Sequence, residues 1–158
     1  MEQVTTSESS QLSIIHPGEV MSRTSFFSDL AAEQLERLAN SARVVSYKSN
    51  ESIYELGDPA EDFFILVEGV VRFTIGLGGR RTSAGEIIRC GDVFGWAALI
   101  QGAQRRLATS FCLTSSTVLA LSGNDMLSLM EEDHTMGYRL MRNLNFLING
   151  KLTGFAAG

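Results

Sequence analysis

The pattern of hydrophobic and polar positions changes twice along the chain. From Arg43 to Leu121 it consists of short runs rich in β-branched and aromatic residues, separated by turns that contain glycine. Strands at this spacing are typical of an antiparallel sandwich or roll. The predicted strands are Arg43–Tyr47, Ser52–Leu56, Phe63–Val67, Val70–Ile75, Thr82–Arg89, Ala108–Leu113 and Thr117–Leu121.

Helical spacing flanks this region on both sides. A short amphipathic helix is predicted within Phe26–Ala39, with Ser28 or Asp29 as its cap. One short helix is predicted over Ser122–Met130, and a longer one from about Thr135 to Leu152. The fold class is therefore expected to be mainly β with flanking helices: an antiparallel, jelly-roll-like roll with one N-terminal helix and two C-terminal helices.

The domain organisation follows from length and from the polar start of the chain. The 158 residues suit one domain. Residues 1–24 are predicted to be a polar N-terminal tail, and residues 25–158 the domain. The polar start and the small residues at the end, Thr153–Gly158, are expected to be natural termini. The longest apolar run, Val93–Ile100, is too short to span a membrane.

Composition argues against several classes of partner. The net charge is −5 and the sequence pI is about 5.0, so nucleic acid is not an expected partner. The two cysteines, Cys90 and Cys112, are too few for a disulfide framework and are expected to be buried as small hydrophobic residues. With no basic leader at the start, the expected compartment is the cytoplasm.

Catalytic chemistry finds little support. The two histidines, His16 and His134, form no HxH or HExxH pair, so the metal ligands of a cupin-type enzyme are missing. We therefore expect no enzymatic activity, no catalytic residues, no metal and no resident cofactor.

The segment from Gly91 to Thr109 is the most informative part of the chain, and we call it the cassette. Gly95 allows a tight turn, and a helical turn after it would direct free N–H groups at a concavity, where they would favour an anion. Arg106 could add a forked, permanent positive charge for a phosphate. The alternative, in which Arg105 and Arg106 lie on a solvated loop, stays open on these residues alone.

With the cassette and two further stretches, Ile53–Ala60 and Phe63–Arg72, the chain resembles the cyclic nucleotide-binding domain family. This is the sensor half of catabolite-activator and FNR-type regulators, and the resemblance runs over about residues 26–153. In the family the cassette binds phosphate. The residues that match its pattern are Phe94, Gly95, Leu99, Arg106, Ala108 and Thr109.

The resemblance implies a ligand site in which Arg106 is the charge partner of a cyclic phosphate. Two positions depart from the family pattern: its ribose-binding glutamate falls on Trp96, and Leu107 stands where many cAMP binders have Ser or Ala. We therefore expect weakened cAMP binding. The implied ligand-binding residues are Gly95, Trp96, Ala97, Arg106, Leu107, Ala108 and Thr109.

These observations predict a cytoplasmic, non-enzymatic sensor module that binds a small phosphate-bearing ligand, a cyclic nucleotide or one of altered specificity. The alternative is a degenerate cassette kept as a scaffold for dimerisation or docking of an unidentified protein. The apolar spacing of Gly137, Leu140, Leu144 and Leu147 predicts a homodimer through the helix from Gly137 to Leu152. The helix-turn-helix module of the activators does not follow and the net charge is negative, so direct DNA binding is not expected. The short apolar runs predict no membrane partner.

Overall fold

The computed structural model describes residues 15–76, 80–85, 87–100, 104–149 and 156–158. Within these ranges the strands are β1 Arg43–Tyr47, β2 Ser52–Tyr54, β3 Asp62–Glu68, β4 Val71–Ile75, β5 Thr82–Ser83, β6 Val93–Phe94, β7 Thr109–Cys112 and β8 Ser116–Ser122. They form two four-stranded antiparallel sheets with strand orders β1-β8-β3-β6 and β2-β7-β4-β5. The predicted mainly-β roll is confirmed.

Helices precede and follow the strands, as expected. The described helices are α1 Pro17–Ser22, a 3₁₀ turn Ser25–Phe27, α2 Ala32–Ala39, a 3₁₀ turn Trp96–Leu99, α3 Gly123–Glu132 and α4 His134–Ile148. Ser122 caps the N-terminus of α3, because its hydroxyl accepts a hydrogen bond from the N–H of Asp125. No described helix is long and apolar enough to cross a membrane.

The N-terminal segment departs from the prediction in two respects. Helix α1 was not predicted, although Met21 within it is fully buried, so part of the predicted tail of residues 1–24 packs onto the roll. Residues 1–14 lie outside the described ranges. Helix α2 begins after Ala31 rather than after Ser28 or Asp29, and the Gln34 side chain accepts the N–H of Ala31.

Two strand predictions near the cassette were wrong. The run Thr82–Arg89 forms a strand only over its first two residues, with Ile88 adding an isolated bridge to Val71. Strand β6 was expected to be loop, but it pairs with Phe64 and Ile65 of the buried strand β3. A strand of two residues carries no alternation of its own, so pairing with a buried neighbour decides its structure.

The core is rich in stacked aromatic rings. One group joins the 3₁₀ turn to β3, since the Phe26 and Phe63 ring centroids are 5.0 Å apart. A second group lies under the cassette, where Phe64 stacks on Phe94 at 5.0 Å and on Tyr54 at 6.0 Å. Such contacts stabilise beyond the area they bury. The second group supplies a rigid apolar floor for the cassette.

Helix α4 packs its predicted seam against its own chain. Leu140 is fully buried and Leu144 is 3% exposed, so these positions belong to the core and not to a dimer interface. The large apolar side chains that α4 leaves exposed are Tyr138, Met141 and Phe146. The seam prediction is wrong at Leu140 and Leu144, because helix α3 and the 3₁₀ turn Ser25–Phe27 of the same chain pack against α4.

Polar contacts hold α4 to the segment before α2, a region we call the helix junction. The Asn143 amide donates to the carbonyl of Phe26 at 2.8 Å and to the carboxylate of Asp29 at 3.0 Å. The Arg142 guanidinium forms an ion pair with the same carboxylate. Burial raises the pKa of Asp29, but the hydrogen bonds from Asn143 and Arg142 together outweigh that effect and hold the pKa below its ordinary value.

Candidate functional site

Gly95 sets the geometry of the cassette. Its φ of 79° lies in the left-handed region, which side chains disfavour. A Cβ at this position would lie 2.8 Å from the Phe64 ring, 2.9 Å from the Asp62 carbonyl oxygen and 3.1 Å from Nη1 of Arg106. Only glycine fits here, and its absent side chain allows the main chain to approach the arginine closely.

The 3₁₀ turn that follows Gly95 is almost wholly buried. Trp96 is 8% exposed and Ala97 is 2% exposed. This 3₁₀ turn is the helical turn predicted for the cassette.

The two cysteines have different environments. Cys112, which was expected to be buried, lies in the core, whereas Cys90 is exposed and its thiol donates to the carbonyl of Val67. The expectation for Cys90 was therefore wrong.

Arg106 is a buried cation with main-chain partners. It is 4% exposed, and its Nη2 donates to the carbonyl of Asp62 at 2.6 Å. Its guanidinium carbon lies 4.2 Å from the centroid of the Tyr54 ring, close enough for a cation–π interaction. Within the described residues Arg106 forms no ion pair with an aspartate or glutamate side chain, and its Nε has no hydrogen-bond partner.

Burial dominates the electrostatics of Arg106 and Tyr54. Desolvation lowers the pKa of the Arg106 guanidinium, an effect partly offset by the tyrosine and by nearby acidic side chains. An arginine nevertheless stays charged in proteins. Desolvation also raises the pKa of the Tyr54 hydroxyl well above its ordinary value, so the tyrosine stays neutral. The site therefore carries a permanent positive charge that, within the described residues, no aspartate or glutamate side chain contacts directly.

Three donors in the cassette converge on neighbouring oxygen atoms. The N–H groups of Gly95 and Trp96 donate to the carbonyl of Ala157, at 2.5 and 3.4 Å. Nη1 of Arg106 donates to the main-chain oxygen of Gly158 at 2.9 Å. We call these three groups the cassette donors. The three donors can bind two oxygen atoms that lie side by side, and a phosphate group presents such a pair of oxygens.

The remaining predicted site residues have different environments. Ala108 is fully buried and Leu107 is half-buried. Thr109 is buried, and its hydroxyl accepts the N–H of Leu56 at 2.9 Å while lying 3.3 Å from the Glu55 carboxylate. This hydroxyl joins β7 to the end of β2, so its contacts do not bring it to the cassette donors.

Arg105 differs sharply from its neighbour. It is exposed, and its guanidinium donates to the carbonyl of Gly57 at 3.1 Å. Arg105 therefore serves as the natural control for any test of Arg106. The alternative of two solvated arginines holds for Arg105 but not for Arg106.

Several groups at the site were missed in the sequence. Tyr54 and the carbonyl of Asp62 contact Arg106 from strands that precede it by more than forty residues, which no local pattern reveals. Ala157 and Gly158 carried no signal either, because small residues near a terminus are common. Within the described residues, no cluster of histidine, cysteine or carboxylate side chains could hold a metal ion.

Comparison with known proteins places this geometry in context. The N-terminal domain of a transcriptional regulator from Streptomyces coelicolor A3(2) is 23% identical, with a TM-score of 0.69, over 80% of this chain and 88% of that one. The sensor domain of the transcriptional regulator DNR from Pseudomonas aeruginosa is 18% identical, with a TM-score of 0.69, over 84% and 93%. At these identities the likeness shows the fold.

A sequence relative and a family match extend the comparison. Over 123 residues the chain is 30% identical to glutaminase 1 from Bradyrhizobium diazoefficiens, an alignment that spans 78% of this chain and 19% of that protein. The profile of the cyclic nucleotide-binding domain matches residues 44–133, which include the roll and the cassette. The roll, its cassette and this match together show that the chain belongs to the cyclic nucleotide-binding domain family.

Proposed function

We propose that the chain is a regulatory sensor domain that binds a small phosphate-bearing ligand at the cassette donors. The observation that carries the proposal is the burial of Arg106 without an aspartate or glutamate partner among the described residues. An uncompensated buried charge costs several kcal/mol by order of magnitude. An anion beside the guanidinium would offset that cost.

The main chain supports the same proposal. The N–H groups of Gly95 and Trp96 donate to the oxygen of Ala157, the residue before the one whose oxygen accepts from Nη1 of Arg106, so two neutral donors accompany the charged one. Hydrogen bonds between ionised partners are shorter and stronger than neutral ones. Two oxygens of one phosphate could accept from these groups, one from the two N–H groups and the other from Nη1.

Trp96 and Leu107 bear on which ligand is bound. A carboxylate at position 96 would accept the ribose hydroxyl that the family's glutamate accepts, and an indole ring cannot. A hydrogen bond to a charged group contributes about 1.5–3 kcal/mol, so its loss weakens cAMP binding roughly 10–100-fold. The proposed ligand is therefore a cyclic nucleotide bound weakly or another compact phosphate ester.

A thermal-shift screen with cAMP, cGMP, cyclic dinucleotides and inorganic phosphate tests the proposal. A ligand at 100 times its dissociation constant adds about 2.7 kcal/mol of stability. For a domain of this size that raises the melting temperature by roughly 5–10 °C. Arg106→Lys keeps the charge but loses the fork, so the shift should disappear, while Arg105→Lys should keep it. Absence of any shift across the panel contradicts the proposal.

The output of the sensor is also a proposal. The glutaminase relative holds its similar segment within a much longer chain, so an enzyme is a reasonable target for regulation by such a domain. We place this regulation in the cytoplasm, the compartment expected from the sequence, and propose no catalysis by the domain itself.

A second candidate function is pairing through helix α4, and the exposed side chains favour it. Tyr138 is 67% exposed and Phe146 is 70% exposed, and Met141 lies between them in sequence. At about 100° per residue these three positions fall within an arc of roughly 140° on the helix. A homodimer across this arc is the corrected form of the predicted interface. Sedimentation of the unmodified chain tests it, because a monomer at micromolar concentration would exclude it.

A further inference from the structure

The cassette donors already have partners within the chain. Ala156, Ala157 and Gly158 are buried, the first two at 1% exposure or less. The carbonyl of Ala157 takes both main-chain N–H groups of the cassette, and the main-chain oxygen of Gly158 takes the Arg106 side chain. We refer to residues 156–158 as the inner segment.

The inner segment and a phosphate need the same donors. A phosphate oxygen that accepts from Gly95 and Trp96 would occupy the place of the Ala157 carbonyl oxygen, because the donor distances there are already 2.5 and 3.4 Å. A second oxygen beside Nη1 would likewise replace that of Gly158. The two occupants therefore exclude each other.

Trp96 and Gly158 fit each other closely. A Cβ at Gly158 would lie 2.7, 2.8 and 3.1 Å from three atoms of the Trp96 ring. Contacts this short require the indole or the main chain to move, so no other residue fits at position 158 without rearrangement. Trp96, which stands in the place of the family's glutamate, is thus the residue against which Gly158 packs.

A glutamate at position 96 would disfavour this arrangement. Its carboxylate only accepts hydrogen bonds, and it would stand beside the carbonyl oxygens of the inner segment, which also only accept. The flat apolar face of tryptophan carries no such conflict. The exchange of an acidic for an aromatic residue suits a peptide occupant better than a ribose.

From these contacts we propose that residues 156–158 are an internal ligand of the cassette, which a phosphate-bearing ligand must displace in order to bind. The competition rests on the proposed function, whereas the occupancy of the cassette by the inner segment does not. A site closed for nine-tenths of the time lowers the apparent affinity about 10-fold. The internal ligand would thereby set the concentration at which the sensor responds.

Two variants test the inner segment: deletion of residues 156–158, and Gly158→Val. The matched control is Gly18→Ala, where an added Cβ would meet only an ordinary contact at 3.9 Å. Amide exchange at Gly95 and Trp96 reports the occupancy directly, because both N–H groups are held by the carbonyl of Ala157. Trp96 is also the single tryptophan of the chain, so fluorescence quenching by acrylamide reports the same event.

We expect both variants to speed the exchange of the two amides at least about 10-fold, to raise acrylamide quenching and to tighten cAMP binding about 10-fold, with the control unchanged. Unchanged exchange and quenching in both variants would overturn the internal ligand. Freed amides with unchanged cAMP affinity would overturn the competition. Freed amides with no cAMP binding in any variant would overturn the proposed function while the occupancy stands.

Discussion

Arg106 in the cassette and Arg142 in the helix junction are held in opposite ways. Arg142 has a side chain that is 42% exposed, and it pairs with the carboxylate of Asp29. Arg106 is almost wholly buried, and its partners are main-chain oxygens and the ring of Tyr54. The first charge pairs with a carboxylate side chain, and the second contacts main-chain oxygens and an aromatic ring.

The comparison separates structure from function. In the helix junction every polar group described above has a partner that packing keeps in place, so those contacts fasten α4 to the roll. In the cassette the three cassette donors bind the inner segment, which has only three residues. A ligand can replace its few contacts. An exchangeable partner beside a fixed charge is what a binding site requires.

The largest expected effect concerns α4, where burial and exposure alternate along one helix. Leu144→Glu places a charge in the core and should destabilise the protein by more than about 3 kcal/mol, so that it unfolds or aggregates. Phe146→Glu alters an exposed side chain and should stay within about 0.5 kcal/mol. Urea denaturation measures both, and equal effects would show that the assignment of the buried face is wrong.

The next prediction removes the two arginines in turn. Arg106→Ala removes a buried charge together with its hydrogen bonds, and these two effects on stability oppose each other. The free protein should therefore change by no more than about 1 kcal/mol, while ligand binding is abolished. Arg142→Ala breaks a half-exposed ion pair and should cost about 0–1 kcal/mol, with ligand affinity unchanged. Denaturation and titration calorimetry test the pair. If Arg142→Ala weakened the ligand as much as Arg106→Ala, the division between the two regions would fail.

The third prediction concerns a variant in which the family's residues return to two positions of the cassette. Trp96→Glu combined with Leu107→Ser should tighten cAMP binding by roughly 10–100-fold, because a charged acceptor for the ribose hydroxyl returns. Trp96→Phe is the control, since it reduces the ring without adding a carboxylate. Calorimetry decides between them. An equal gain from Trp96→Phe would assign the effect to bulk rather than to the carboxylate.

The smallest effect is a pH dependence outside the cassette. Hydrogen bonds from Gln34 and from the N–H of Met136 hold the pKa of Asp133 below its ordinary value of 3.8. Such a group stabilises the fold above its unfolded pKa, and the stabilisation is lost as the pH falls through its folded pKa. Asp133→Asn should therefore be less stable than the natural chain at pH 6, and the gap should close in acid. A gap independent of pH would refute this.

The sequence predicts regular elements better than the geometry of the site. Strand β1 has its predicted bounds and β3 differs from them by one residue at each end, because their residues favour the sheet locally. Strand β6 and helix α1 were missed because tertiary packing creates them. Strand β6 is held by its pairing with β3. Helix α1 is anchored by the buried side chain of Met21.

The same limit applies to the cassette. Gly95 and Arg106 could be identified in the sequence since both residue types carry their chemistry wherever they stand. Their partners could not be identified, because Tyr54 and Gly158 are joined to Arg106 only by folding. The predicted dimer seam failed for a related reason: spacing shows that a helix has an apolar face, but not whether the roll or a second chain covers it.

The most direct test of the central claim is a nitrogen-15 NMR titration of the full chain with cAMP. The account predicts saturable shifts of the Gly95 and Trp96 amides and of the Arg106 Nε–H signal, with the Arg142 Nε–H signal unchanged. If these signals stay in place at millimolar cAMP, and also with cGMP and inorganic phosphate, the cassette is not a phosphate site and the account is contradicted.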